Sequence, residues 1–590
     1  MTQSFEDNRA REREKLEMRV GFAAAVFAVA YAFIGLLDRM GAPDGFVGAL
    51  SPYFTIIALA TLGALLHSMR VSYYYAAGRS VPAEYAGFAL ATLCAGLMLP
   101  FAPQFAARSW GIGLAGGMFA GVALAGCILG PMLRKTGAFS LSGVLATRFP
   151  SLPPRLGVIA LACVSSELVA LAGQQMAVDV LSGIWGGGRG FAAACVALAV
   201  LAIAGPGGLL GSIWTACAAG AVALLGFGWP ALSLVLHRSP PFMGGESASW
   251  GEVGAKLQEW GNLPQALDAG ADFAVALAMM LGVAVLAPLL APTIVTPRAA
   301  STRNAGFAAV AWTWIFAWLV AAVLGGATLS FARQTGGQPA ERLPDAVYQA
   351  SAHGLVAICG ARAPDPASAR RACAEKGLPA GAPLGPADIR PREDFLVSGL
   401  PALERMGAAA SGLLAAAQIA LALALAAAGL QAFGTALGHE AVFRLRGGTD
   451  LTSRRLATTR LALTLIATAG YLASAHNLFD AKALLALALG LSAAAGAPVT
   501  ALALWPRAGD RDAMIALLGG LFGMTVTMLV AGSARFTIVA EASLVGAAVG
   551  LVAGVLSARS HPEDVSALAR SFVTRVLHGD GDVMGPDKGA

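Results

Sequence analysis

The residues able to do chemistry in this chain are few, and most are set in apolar surroundings. Glu167 sits near the middle of the apolar run 155–182. An acid at membrane depth is costly and tends to mark an ion or proton path. Gln174 follows about two helical turns later on the same face. Ser165, Ser166, Gln175 and Asp179 add polarity nearby. Glu167 is therefore expected to face a central cavity and to titrate, desolvation raising its pKa. The alternative is a structural polar contact between helices. Gln418, in the run 401–437, is a further polar candidate for the same pathway. Backbone groups are the other source of chemistry. The run 83–107 contains Gly96, Pro100 and Pro103, and the run 271–296 contains Pro288 and Pro292. Paired helix breaks would free carbonyls for a cation and aim helix N-termini at an anion. The alternative is a pair of ordinary proline kinks.

Other chemistries lack their residues. His439-Glu440 is half of a zinc-protease motif, but no second histidine follows at the required spacing, so no metal site is expected. No serine, cysteine or histidine constellation argues for an enzyme, and no phosphate-cradling glycine loop is present. Trp312 and Trp314 read as packing, and Gly113, Gly117 and Gly121 as a small-residue packing stripe.

The elements that must position these residues are membrane helices. The chain has 590 residues, 57% apolar and 13% charged, about half the charged fraction of a soluble protein. Apolar runs of about 20 residues recur along it, each long enough to cross the hydrocarbon core. Runs of that length mean helices rather than barrel strands, so no soluble core is expected. Fourteen spans are read: 19–37 and 52–70; then 83–107, 109–132, 155–182, 189–205, 209–236, 271–296, 305–332, 401–437, 457–477 and 481–505; then 513–532 and 536–557. The uncharged stretch from Gly190 to His237 is divided at Gly205-Pro206-Gly207-Gly208, a helix-ending sequence.

Loop charge supports this count. With the N-terminal segment 1–18 inside, the short inner loops hold Arg79; Arg134, Lys135 and Arg148; Arg298 and Arg303; Arg444, Arg446, Arg454 and Arg455; and Arg507 and Arg511. The short outer loops hold about one base each: Arg39, Arg108, Arg189, Lys482 and Arg535. This positive-inside alternation places both termini, including the tail 558–590, in the cytoplasm. It also explains the net charge of +6 without nucleic acid. The first run is long enough to remain as an anchor rather than a cleaved signal. Two outer loops are long. Residues 237–270 carry a predicted short helix from Trp250 to Trp260, and residues 333–398 carry Cys359 and Cys373. A lone cysteine pair facing an oxidising space suggests a disulfide, two free thiols being the alternative.

Short motifs add a resemblance. In Val71 to Gly87, the residues Tyr75, Ala77, Gly78, Arg79, Val81, Pro82 and Gly87 match a pattern leading into the first core helix of the sodium:solute symporter family; Ala86 replaces its asparagine. Leu133-Arg134-Lys135-Thr136-Gly137-Ala138-Phe139-Ser140 with Arg148-Phe149, Ala172-Gly173-Gln174, Gly207-Gly208 with Trp214-Thr215, Pro297 with Arg303, and Gly438-His439-Glu440 resemble further blocks in the same order. The resemblance covers about residues 70–510, and its nearest branch looks like the acetate-permease-type carboxylate transporters.

The resemblance implies an all-α polytopic membrane protein with a leucine-transporter-like core. Two inverted five-helix repeats, 83–236 and 271–505, would follow two additional helices in 19–70 and precede two more in 513–557. It implies a secondary transporter of a small organic solute, with monocarboxylates as one class, in a bacterial inner membrane. Its partners would be the solute, a coupling cation, the bilayer and a small membrane subunit. The family's serine–threonine sodium ligands fall on Ala424 and Leu425, and the branch's neighbouring acid on Ala427. Sodium needs oxygen ligands, so these residues argue against sodium and leave protons as the alternative. No cofactor is expected. The stretch Thr92 to Leu99 also lacks the family's acid and serines, and Pro292 stands at its arginine position. The rival reading is a non-transporting sensor or scaffold that retains the fold.

Overall fold

The structure, a computed structural model, describes residues 2–106, 111–184, 188–237, 250–260, 269–444, 447, 451–532, 536–560 and 567–578. Arg108, Arg446 and Arg535 of the charge pattern lie outside these residues. The chain is nearly all helical. In order the main helices are α1 (Thr2–Arg39), α2 (Asp44–Leu65), α3 (Ala83–Met98), α4 (Gly113–Thr136), α5 (Leu152–Ile184), α6 (Arg189–His237), α7 (Ala269–Val285), α8 (Ala287–Leu290), α9 (Ala299–Thr335), α10 (Ala408–Gly434), α11 (Thr452–Ala475), α12 (Ala481–Ala503), α13 (Asp510–Ala531), α14 (Phe536–Ser560) and α15 (Ala567–His578).

Among the described residues, 12 helices are long and apolar enough to cross a membrane, and the bent pair of α7 and α8 raises the number to 13. One further division gives the expected fourteen. Within α6, Gly208 adopts φ 57°, ψ −139°, which separates two spans. A Cβ there would lie 2.4 Å from the Tyr74 carbonyl oxygen, so only glycine fits. The observed elements extend some expected spans by a few residues at each end, as in Leu152–Ile184 and Ala299–Thr335.

Burial locates the core. The most apolar window of α1 is only 6% buried, whereas that of α10 and its continuation is 94% buried. The helix α10 is packed by α2, α3, α5 and α6. Close approach is achieved with glycine. A Cβ on Gly173 of α5 would lie 2.6 Å from the Ala426 nitrogen, and one on Gly429 of α10 would lie 2.6 Å from the Ala170 nitrogen. The two backbones therefore touch, and dispersion contacts between them replace the hydrophobic effect that lipid cannot supply. The glycine stripe of α4 has the same role against α7, where Gly117 faces the Ala276 carbonyl.

The segment between α9 and α10 corrects one expectation. It forms a small unit with its own apolar core around Tyr348, Ile358, Ile389 and Phe395, completed by Trp260 and Phe331. Strands β1 (Val356–Ile358) and β2 (Ile389–Pro391) pair antiparallel within it. The Trp250–Trp260 helix is present beside it. Composition conceals this core because its apolar runs, such as Leu355–Cys359, are short and set among charged residues, prolines and glycines. Cys359 and Cys373 are joined by a disulfide, and the other five cysteines are free. Outside the membrane segments, Lys376 and the Gly385 amide hold the Asp388 carboxyl below its usual pKa, pinning the chain beside this bond.

Two outcomes are expected. Gly429→Val should lower the thermal unfolding midpoint in detergent by the equivalent of about 1–3 kcal/mol of overpacking, whereas Gly190→Ala, with open space around it, should not lower it. A denatured but unreduced chain should accept maleimide at five of its 7 cysteines, and at all 7 after reduction. Mass spectrometry reads both numbers.

Candidate functional site

The two expected helix breaks differ. Between α7 and α8, Leu286 leaves helical geometry (φ −66°, ψ 117°) and the two segments bend by 57°. Pro288 occupies the first turn of α8, where a missing N–H costs nothing, and Pro292 lies in the following 3₁₀ turn Ala291–Thr293. At Pro100 the span does not unwind. Leu99–Phe101 tightens into one 3₁₀ turn and continues as the helix Ala102–Ala106. Leu99 and Ala102 keep right-handed helical angles, and the Ala102 amide bonds to the Leu99 carbonyl. The expectation of paired unwound helices is corrected here. A 3₁₀ turn supplies i→i+3 bonds in place of those that proline removes, so the helix bridges its own prolines.

The positions on which the resemblance places sodium ligands are buried. Ala424 is 1% exposed and Leu425 is fully buried. A Cβ on Gly96 would lie 2.8 Å from the Leu421 carbonyl oxygen and 3.4 Å from the Leu425 Cβ. Gly96 thus serves as the seat for Leu421 and Leu425 of α10. From Ile419 to Leu430 that helix carries no side-chain oxygen. Gln418, just outside this stretch, is buried with its amide nitrogen unpaired.

On α5, Gln174 is fully buried against Gly470 of α11, and neither of its amide atoms has a partner. The Ser166 hydroxyl is likewise buried and unpaired, while Ser165 donates to the Ala162 carbonyl. Glu167 is only half-buried, and its carboxylate takes part in no hydrogen bond among the described residues. It does not line the cleft described below. At the C-terminal end of α5, Gln175 donates to Asn477 (2.7 Å), and Arg189 pairs with Asp179 (2.6 Å) and donates to the Ser474 carbonyl (2.7 Å). Glu393, from the unit between α9 and α10, accepts from Lys482 (3.0 Å) and from Gln104 (3.3 Å). The ends of α11 and α12 and the continuation of α3 are tied by these bonds.

The opposite end of the bundle holds a buried cluster that residue-by-residue reading of the sequence did not assemble. The Arg455 guanidinium lies 4.9 Å over the Tyr75 ring, 4.1 Å over Phe443 and 6.0 Å over Phe139. It also bonds the His439 ring. Tyr75 and Thr459 share a hydrogen bond of 2.6 Å. Glu440, fully buried, pairs with Arg444 (3.2 Å) and accepts from Ser140 (3.4 Å). His439 and Glu440 lie on a π-helical extension of α10, Thr435–Phe443, whose wider turn directs both side chains into the bundle. Beside the cluster is a cavity of about 20 Å³, room for about one water. Tyr75, Ser140, Leu290, Gln431 and Thr435 line it. The Gln431 side-chain oxygen is buried and unpaired, while its nitrogen donates to the Tyr74 carbonyl. Three of the sequence motifs meet here: Tyr75 from the first, Phe139-Ser140 from the second, His439-Glu440 from the last. Their common location was the available signal. Among the described residues, no group of three or more histidine, cysteine or acidic side chains could hold a metal.

Comparison with known proteins agrees on the fold. No family model matches the chain. An uncharacterized symporter of Cupriavidus necator is 29% identical over 165 residues, which are 27% of this chain and 24% of that relative. The match thus spans about a quarter of the relative's length. Among solved structures, a Na+-coupled sialic acid symporter in its substrate-bound, outward-open state superposes with a TM-score of 0.61 at 16% identity, covering 88% of this chain and 98% of that one. That likeness defines the fold as the leucine-transporter type, an all-helical, multi-pass membrane architecture.

Arg455→Met should lower thermal stability by the equivalent of about 2 kcal/mol or more, through lost cation–π and hydrogen-bond contacts. Arg455→Lys should recover less than half of that loss, because a point charge cannot stack and bond His439 together. Thermal unfolding of the purified variants measures both.

Proposed function

We propose that this chain is a secondary transporter of the sodium:solute symporter type, moving a small organic solute across a bacterial inner membrane with both termini cytoplasmic. The observation that carries this reading is the break at Leu286, a 57° bend ahead of Pro288 inside a leucine-transporter-type fold. Solute sites in such folds lie where a core helix is interrupted. Monocarboxylates are the first solutes to test, because the motifs are most similar to the acetate-permease-like branch. A small membrane subunit belongs to the same reading, and co-purification tests for it.

The coupling ion in this reading is the proton. Ala424 and Leu425 offer no side-chain oxygen, and Gly96 is packed against α10 instead of facing a void. A hard cation finds no cradle there. Glu167, partly buried at membrane depth with no hydrogen-bond partner among the described residues, is the residue proposed to carry the proton.

Two observations favour a second reading, a non-transporting sensor or scaffold. The window through α10 is 94% buried, and the cavity beside the Arg455 cluster holds only about 20 Å³. A scaffold has no need of a larger hollow.

Uptake into proteoliposomes, with proton and sodium gradients imposed separately, decides. Monocarboxylate uptake should follow the proton gradient, ignore sodium and be abolished by Glu167→Gln. Proton-driven uptake that survives Glu167→Gln would remove that residue from the reading. Absence of uptake for every solute class tried would favour the scaffold.

A further inference from the structure

The C-terminal helix α15 has no part in the reading above, yet it is fastened next to the Arg455 cluster. It packs on the C-terminal end of α4 and on the short helix Leu141–Arg148. Ala569, Val573 and Val576 form its buried face, at 2%, 8% and 3% exposure, with Phe572 packed alongside. Arg570, Thr574 and Arg575 lie on its exposed face. At its last turn, Lys135 of α4 donates to the Val576 carbonyl (3.2 Å) and the Leu577 carbonyl (3.5 Å). Carbonyls at this end have no acceptor role within the helix, and a cation here also suits the helix dipole.

What α15 holds is the wall of the cleft. The turn after Lys135 carries Phe139 and Ser140, and Leu141 and Ser142 open the next helix; all four line the cavity beside Gln431. Ser140 caps that helix through the Gly143 amide and also donates to Glu440. A Cβ on Gly143 would lie 2.4 Å from the Glu440 carboxylate, so this helix sits directly on the end of α10. Its far end is fixed by Arg148, which donates to the carbonyls of Ala503, Trp505 and Ala508. Its near end is bonded to Glu440 through Ser140, and the turn before it to Arg79 through the Gly137 carbonyl; α15 adds a further attachment, to this helix and to the end of α4 that leads into it.

We propose that α15 is a strap that clamps residues 137–142 onto the π-helical end of α10 and sets how readily this cleft opens. Releasing the strap lets the Phe139–Ser142 wall move away from Glu440 and Gln431. Transport is not required for this, so the strap can be tested whether or not the chain carries a solute.

The test uses the full chain in nanodiscs with Ser142→Cys as a probe. Ser142 is 2% exposed in the clamped state. Labelling of the introduced thiol by a membrane-impermeant maleimide is followed by peptide mass spectrometry, with the buried Cys94 as internal control. Lys135→Met, Val573→Glu and removal of residues 561–590 should each raise the labelling rate at position 142 by about tenfold, because labelling tracks the population of the locally open form, and leave Cys94 unchanged. A rate at position 142 that stays at the parent value in all three, or that rises only in step with Cys94, would overturn the strap.

Discussion

Backbone-to-backbone packing along α10 is the constraint on which this molecule rests. Lipid tails offer no hydrophobic incentive for helices to associate, so stability must come from close fit. Gly173 and Gly429 let α5 and α10 touch, and Gly96 seats Leu421 and Leu425 of α10 against α3. Residues 419–430 supply only small and aliphatic groups to that interface. The same packing leaves no side-chain oxygen in the stretch 419–430, where the sequence resemblance places sodium ligands.

The hydrogen-bonded polar clusters described above lie at the two ends. At one, Asp179, Arg189, Asn477, Glu393 and Lys482 tie helix ends to a disulfide-bonded unit. At the other, one guanidinium is enclosed by aromatic rings and an imidazole, and one fully buried carboxylate is met by Arg444 and Ser140. A buried ion pair contributes little net stability once desolvation is counted. The Glu440–Arg444 pair lies within one helical stretch, and the Ser140–Glu440 bond is what joins the segment 137–142 to the π-helical end of α10. The α7–α8 junction, bent by 57° at Leu286, is the break on which the proposed solute path rests.

Much of the fold was legible. Apolar run length and loop charge marked out the spans, and the proline–glycine sequence before Leu209 marked a real interruption, fixed at Gly208 by the Tyr74 carbonyl. That Ala424 and Leu425 carry no side-chain oxygen is a matter of residue type and needs no geometry to read. Other features were hidden for physical reasons. Proline at position 100 forbids one hydrogen bond but does not decide between unwinding and a 3₁₀ turn; the surrounding helices do. Glu167 is half-buried on α5, where helical spacing alone could not distinguish a cavity from a helix margin. The Arg455 cluster joins residues more than 300 apart in sequence, as in the Tyr75–Thr459 bond with its separation of 384. Only the folded chain brings these together.

The central proposal is that the middle of the bundle has no place for sodium. Sodium titration of the purified protein, at constant ionic strength with choline as the balancing cation, tests this directly by thermal unfolding. A ligand that binds only the folded state raises the midpoint with saturation. The unfolding curves should superimpose at every sodium concentration. A saturable, sodium-specific rise in the midpoint would contradict the account.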